Sequence, residues 1–498
     1  VRAAVPSARL GLAVLGASVV GVVLLSVAGR LLGPAQDWRP EPYVAPPLTD
    51  RPPPPVDTGS APSDGDAEHG VVREDISVPV RGDELAATVF APDAPGSYPA
   101  VAFVHGAGAG DRSSFFGLAE RFARAGIVAV AYDKRSDYSY FDNRDFDQLA
   151  EDASAVVAVM RDRSDVDPER AGLWGLSEGG RVVPLAASRD SGVAFVVTVG
   201  GAIRGPLRNT AWSVYEGLAA AGAPAGAGRL AVRILGGGHL FTLHLDPPTG
   251  VWAGVGQPAL VIYGTNDYLV PPAESSRHIV DDLRRGGNTA HAVRFFDGAD
   301  HGLRRDGDYA PGYVRTVTDW ITGLPGSAAA AAPVAGPLPV QRYATTPVPR
   351  TPWYGGTPGL IATVLLTVVG ALVVPAIVRR RLPAGAGECA AVLRSSRRAM
   401  RAGIAAYAVM WAYVGLTIGL GYTRNGGELL FQVGWGLVRA AGLLAVVAGA
   451  AAGAALLTAR RHGWAPEGAQ QVLLASHGAV AALMVLSVAY WGVFEPRW

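Results

Sequence analysis

Five stretches of this chain are apolar and long enough to cross a bilayer, which takes about 20 residues. They run from Leu10 to Leu32, Gly359 to Val378, Ala402 to Tyr422, Leu429 to Ala459 and Gln471 to Phe494. Residues 34 to 357, between the first and second stretches, are left to build any water-facing core. Arg379, Arg380, Arg381, Arg394, Arg397, Arg398 and Arg401 lie between the second and third stretches, and Arg460 and Arg461 between the last two. The other short connection, Thr423 to Glu428, carries only Arg424. Arginine-rich connections stay in the cytoplasm. Threaded back from them, residues 34 to 357 fall outside the cytoplasm, and the N-terminus with Arg2 and Arg9 falls inside. A cleaved signal peptide is the alternative for the first stretch, since Arg2 and Arg9 supply a basic flank. Its length favours an uncleaved anchor.

Charge divides the chain in the same place. Residues 71 to 325 hold 31 acidic and 24 basic side chains, a net of −7, whereas residues 358 to 498 hold 4 and 12, a net of +8. No basic tract with interleaved aromatics points to nucleic acid. The single cysteine, Cys389, excludes an internal disulfide and a cysteine-based zinc site. The chain has one lysine, Lys134, against 42 arginines, a bias typical of a GC-rich bacterial genome. Within the spans, Arg439 reads as an interfacial residue near the outer end of an overlong apolar stretch, and His477 as a helix-packing residue. Gly449 to Gly453 reads as a close helix-packing face.

The chain therefore reads as five parts: an anchor over 1–33, a Pro-rich spacer over 34–70, a soluble domain over 71–325, an Ala/Pro-rich spacer over 326–357, and four spans over 358–498. Inside the soluble domain, Ile76 to Val80 and Leu85 to Phe90 read as an antiparallel pair. Ala100 to Val104, Ile127 to Ala131, Ala171 to Trp174, Val193 to Val199, Ala259 to Tyr263 and Ala292 to Phe296 read as buried strands, with helical periods between most of them. Alternating strands and helices predict an α/β fold with a doubly wound, mostly parallel sheet. Ligands on such sheets gather at the carboxyl ends of the strands.

Four of those strand ends carry chemistry. His105-Gly106-Ala107-Gly108-Ala109-Gly110 follows the first buried strand, Gly175-Leu176-Ser177-Glu178-Gly179 the third, Gly264-Thr265-Asn266-Asp267 the fifth, and Asp300-His301-Gly302 closes the turn after the sixth. Serine is a poor nucleophile at neutral pH and needs a base, which a histidine supplies when a carboxylate holds its tautomer. This joint pattern, in the order Ser, Asp, His, resembles the α/β-hydrolase fold. The segments Tyr132-Asp133-Lys134-Arg135 and Gly175 to Arg181 are most similar to the esterase branch near dienelactone hydrolases and prolyl-oligopeptidase-type enzymes. The resemblance implies Ser177 as nucleophile, His301 as base, Asp267 as acid, and the backbone N–H groups of Ala107 and Glu178 as the oxyanion hole.

Other readings stand beside these. Asp300 is a rival acid but adjoins His301 in sequence. His105 reads as a brace for its turn, and the Glu178 side chain as ordering the elbow. The segment from about 204 to 256 resembles a small lid; His239, His244 and Asp246 within it read as lid residues rather than metal ligands. Where relatives continue the Asp-Lys-Arg segment with a glycine-containing turn, this chain has Ser136 to Phe141, whose aromatics are expected at a substrate pocket. The expected activity is hydrolysis of a small-molecule, lipid or cell-envelope ester at a membrane, with no cofactor. Acyl transfer, thioester cleavage and peptide cleavage use the same triad, and a non-catalytic binding or sensing module is the remaining alternative.

Overall fold

A computed structural model of the chain describes residues 8–33, 38–44, 48, 53–56, 69–108, 110–139, 144–237, 250–330, 333–349, 351–378, 387–423 and 427–495. The chain forms two compact units. One comprises residues 1–40, 214–240 and 346–498, the other residues 41–213 and 241–345.

Among the described residues, the first unit contains five helices long and apolar enough to cross a membrane: Gly11–Leu32, Thr357–Val378, Ala390–Leu420, Glu428–Arg461 and Gly468–Tyr490. The third belongs to a 37-residue helix, Gly387–Thr423. Arg394, Arg397, Arg398 and Arg401, expected in a loop, therefore lie on its first turns; arginine is a good helix former, so the helix continues past its apolar stretch. Along Glu428–Arg461 a buried stripe runs through Phe431, Trp435, Val438, Gly442 and Ala445. At Gly449 and Gly453, expected as a packing face, no described residue stands within 4 Å of a Cβ placed at either position. Arg439 donates to the Glu495 carbonyl at 3.2 Å. His477 is buried, with Nδ1 3.0 Å from the Ser396 hydroxyl.

The helix Ala225–Gly237 belongs to this unit. Its Ala227, Leu230 and Ile234 recur at helical spacing and enter the same apolar core as Met410, Trp435 and Trp491. Arg233 on that helix pairs with Glu495 at 2.6 Å.

The second unit is built on a sheet. Its strands are β1 Val71–Val80, β2 Asp83–Pro92, β3 Tyr98–Val104, β4 Val128–Tyr132, β5 Val166–Leu176, β6 Val196–Val199, β7 Ala259–Gly264 and β8 His291–Phe296. The order is β1-β2-β4-β3-β5-β6-β7-β8, and Val334–Ala335 adds a short parallel edge beside β8. β1 and β2 pair antiparallel, as do β2 and β4, while the remaining neighbours are parallel. Strands β3, β4 and β6 to β8, and β5 from Ala171 onward, are buried because helices cover each side. Side chains alternate between two cores: Ala100, Ala102 and Val104 enter one, Val101 and Phe103 the other.

The segment after residue 326 is held in this unit as far as Thr345. Glu274 on the helix Pro272–Arg285 accepts from the Thr345 backbone N–H at 2.8 Å, and Tyr43 and Arg342 pair through their backbones.

Behind the sheet's carboxyl edge, Arg135 is clamped on Asp152 of the helix Phe146–Arg161 by two bonds of 3.0 Å, with both side chains buried. Removing one partner of a buried ion pair costs about 3 to 5 kcal/mol. Asp152→Ala is therefore expected to lower the melting temperature of the detergent-solubilised full chain by several degrees. An unchanged melting temperature would show that the pair adds nothing to stability.

Candidate active site

β5 ends at Leu176 and a helix begins at Gly179, so only Ser177 and Glu178 make the turn. The turn closes because its neighbours lack side chains. A Cβ on Gly175 would overlap the Gly179 carbonyl oxygen, and one on Gly179 would overlap that of Val104. Ser177 takes φ 55°, left-handed backbone that costs a non-glycine residue about 1 kcal/mol or more. Backbone bonds hold it there: its N–H donates to Val199 O at 2.8 Å, and its own carbonyl accepts from Gly180 N at 3.0 Å and Ala202 N at 3.5 Å.

The Val199 bond places Ser177 at the end of β6, where the histidine also lies. A Cβ on Gly200, the next residue, would stand 2.8 Å from Cε1 and Nδ1 of His301 and 3.2 Å from Oδ2 of Asp267. His301 Nδ1 lies 2.8 Å from that Oδ2. The other oxygen, Oδ1, accepts from Leu269 N and Val270 N at 3.0 Å each, so the carboxylate is fixed on both sides. The Asp267 side chain is wholly buried, while 13% of His301 remains exposed. Asp300, the rival acid, spends its Oδ1 on the N–H groups of Gly302 and Arg304 at 2.8 Å each.

The turn after β3 lies against the Ser177 turn: a Cβ on Gly106 would be 3.4 Å from the Ser177 Cβ. Among the described residues, no acceptor engages the backbone N–H of Ala107 or of Glu178. Two such unengaged N–H groups beside Ser177 are donors of the kind a developing oxyanion needs. His105 braces this turn, with Nε2 2.7 Å from Tyr132 O and the ring against Phe115; burial pushes its pKa down to about 4.

Three residues not singled out as site residues join the group. Lys134, Tyr138 and Arg144 converge on the buried Glu178 carboxylate. Burial opposes its charge, yet Lys134 and Arg144 hold its pKa below the usual carboxylate range. Lys134 carried one legible signal, being the sole lysine of the chain. Tyr138 was legible as one of the aromatics of its unusual segment; Tyr140 and Phe141 lie outside the described residues, as do His239, His244 and Asp246. Among the described residues, no cluster of three His, Cys, Asp or Glu side chains is set to hold a metal.

Ser177 thus follows β5, Asp267 follows β7 and His301 follows β8, on a sheet whose order crosses once, between β3 and β4. The sheet unit has the α/β-hydrolase fold. No family model matches the chain. The quorum-quenching protein AidA of Acinetobacter baumannii is 28% identical over 123 residues, which is 23% of this chain and 39% of that protein, so the match spans well under half of the relative. Similar solved structures include an esterase from Pyrobaculum calidifontis, at 21% identity and a TM-score of 0.38 over 52% of this chain and 87% of that one. Another is the dienelactone hydrolase of Anabaena variabilis, at 18% identity and a TM-score of 0.33 over 51% and 96%.

Burial works against a charged His301 ring, but the Asp267 charge and hydrogen bond outweigh it and raise the pKa above the ordinary 6.5. A base must be neutral to act, so activity is expected to fall as pH drops through a value above 6.5. Asp267→Asn removes the raising charge. In a kcat/KM profile it should move the acid limb to lower pH and reduce the plateau by on the order of 10⁴-fold. An unmoved limb would separate the carboxylate from the base.

Proposed function

We propose that this chain is a membrane-anchored serine hydrolase that cleaves carboxylic esters through an acyl-enzyme intermediate, with its sheet unit outside the cytoplasm. The observation that carries the reading is the convergence at the end of β6: a serine in a positive-φ turn beside a histidine oriented by a buried aspartate.

In this mechanism His301 takes the Ser177 proton as Oγ attacks the ester carbonyl, and Asp267 stabilises the resulting imidazolium. The N–H groups of Ala107 and Glu178 receive the charge that develops on the carbonyl oxygen, each worth about 3 kcal/mol in the transition state. His301 then protonates the departing alkoxide, and water repeats the sequence to release the acid.

The arginines of the helix Gly387–Thr423 and the pair Arg460 and Arg461 support the orientation, because the positive-inside rule assigns both groups to the cytoplasm.

Ser177→Ala is expected to abolish hydrolysis of a short p-nitrophenyl ester and labelling by a fluorophosphonate probe. Labelling that persists in the variant would remove Ser177 as nucleophile. For the orientation, Val340→Cys can be placed in a Cys389→Ala background, since Val340 is 86% exposed. A membrane-impermeant maleimide should label it in intact spheroplasts, and labelling only after lysis would reverse the topology.

A further inference from the structure

The sole lysine of the chain sits at the one place in the sheet unit where a compact cation meets three oxygens at once. Lys134 Nζ donates to Gly106 O at 2.6 Å, Gly108 O at 3.0 Å and Glu178 Oε1 at 2.8 Å. Its side chain is 5% exposed and that of Glu178 2%. The Tyr138 ring lies 3.8 Å from the ammonium, and the Tyr138 hydroxyl donates to the same Oε1 at 2.8 Å. Arg144 Nε donates to the other carboxylate oxygen at 2.7 Å.

The carbonyl bonds have a geometric consequence. In a trans peptide the C=O and N–H point in opposite directions, so fixing Gly106 O also fixes the direction of the Ala107 N–H. Gly108 O, two peptides further along the same turn, is tied to the same ammonium. Gly106 adjoins Ser177, and the carboxylate that holds the lysine belongs to Glu178, whose backbone N–H is the other proposed donor.

We propose that Lys134 and the Glu178 side chain are positioning residues that lock the two halves of the oxyanion hole to each other. This rests on the hydrolase reading above. Lys134 acts through the Ala107 peptide and touches no reacting atom. The geometry also explains a lysine in a chain that uses arginine everywhere else. Three donors in a tetrahedral array on a compact charge fit two carbonyls and a carboxylate, whereas a planar guanidinium does not.

The test compares Lys134→Arg, Lys134→Met and Glu178→Gln in the full chain in detergent, using a p-nitrophenyl ester and a trifluoromethyl ketone that forms a tetrahedral adduct. Misaligning one oxyanion donor is expected to lower kcat by about 10²- to 10³-fold. KM should stay within about threefold, since a planar ester makes little use of the hole. Affinity for the ketone should fall in parallel with kcat/KM, and the acid limb of the pH profile should not move, because His301 is untouched. Lys134→Arg should not rescue, although it keeps the charge. Wild-type kcat in Lys134→Arg, or losses that appear in KM with ketone affinity intact, would overturn the proposal. If Lys134→Met does not fold, the arginine variant decides alone. Failure of the wild-type chain to react with a fluorophosphonate at Ser177 would instead sink the hydrolase reading itself.

Discussion

Everything at the proposed site depends on the clearance around one turn. β5 must reverse into a helix within two residues while the turn after β3 presses against it, and the space left excludes a side chain at Gly175 and at Gly179. The remaining strain falls on Ser177, held in left-handed backbone by bonds to β6 and to the helix. A serine placed this way cannot turn back into the core, so its hydroxyl is presented at the carboxyl edge of the sheet. The same crowding brings the end of β6 beside His301, and among the described residues no acceptor engages the N–H groups of Ala107 and Glu178. Strain, exposure and donor supply are consequences of one packing constraint.

The carboxylate next to that serine is a second organising element. Burial works against a charge on Glu178, yet Lys134 and Arg144 hold its pKa below the usual carboxylate range, and Tyr138 donates to the same carboxylate. Those partners come from the segment after β4, far from the elbow in sequence. A single buried charge therefore gathers three loops that the sheet brings to the same edge. Isolated charges in such a place would be expensive; a satisfied network is stiff, and stiffness is what an oxyanion hole requires.

Much of this was legible beforehand. Ser177, Asp267 and His301 could be read as a group because each follows a run of buried apolar residues, and strand ends are where a parallel sheet exposes chemistry. The five apolar helices could be read from length and hydropathy alone. Other features had no local signature. Arg394 to Arg401 carry charge, which marks a water-facing segment but not whether it is helix or loop. Gly449 to Gly453 has the spacing of a packing face, yet spacing does not supply a neighbour. The helix Ala225–Gly237 lies between strands of the sheet in sequence and shares its core with the apolar helices, which only long-range packing could decide.

The sequence by itself determined the class of fold, the presence of apolar helices on either side of it and the candidate reactive groups. Those follow from periodicity, composition and side-chain chemistry, which are local properties. Tertiary structure decided that Asp267 rather than Asp300 orients His301, since Asp300 is consumed by its own turn. It also decided that Lys134 reaches Gly106, Gly108 and Glu178 together. Both outcomes depend on which groups remain free once the backbone has satisfied its own hydrogen bonds, and that is known only after distant strands have been brought side by side.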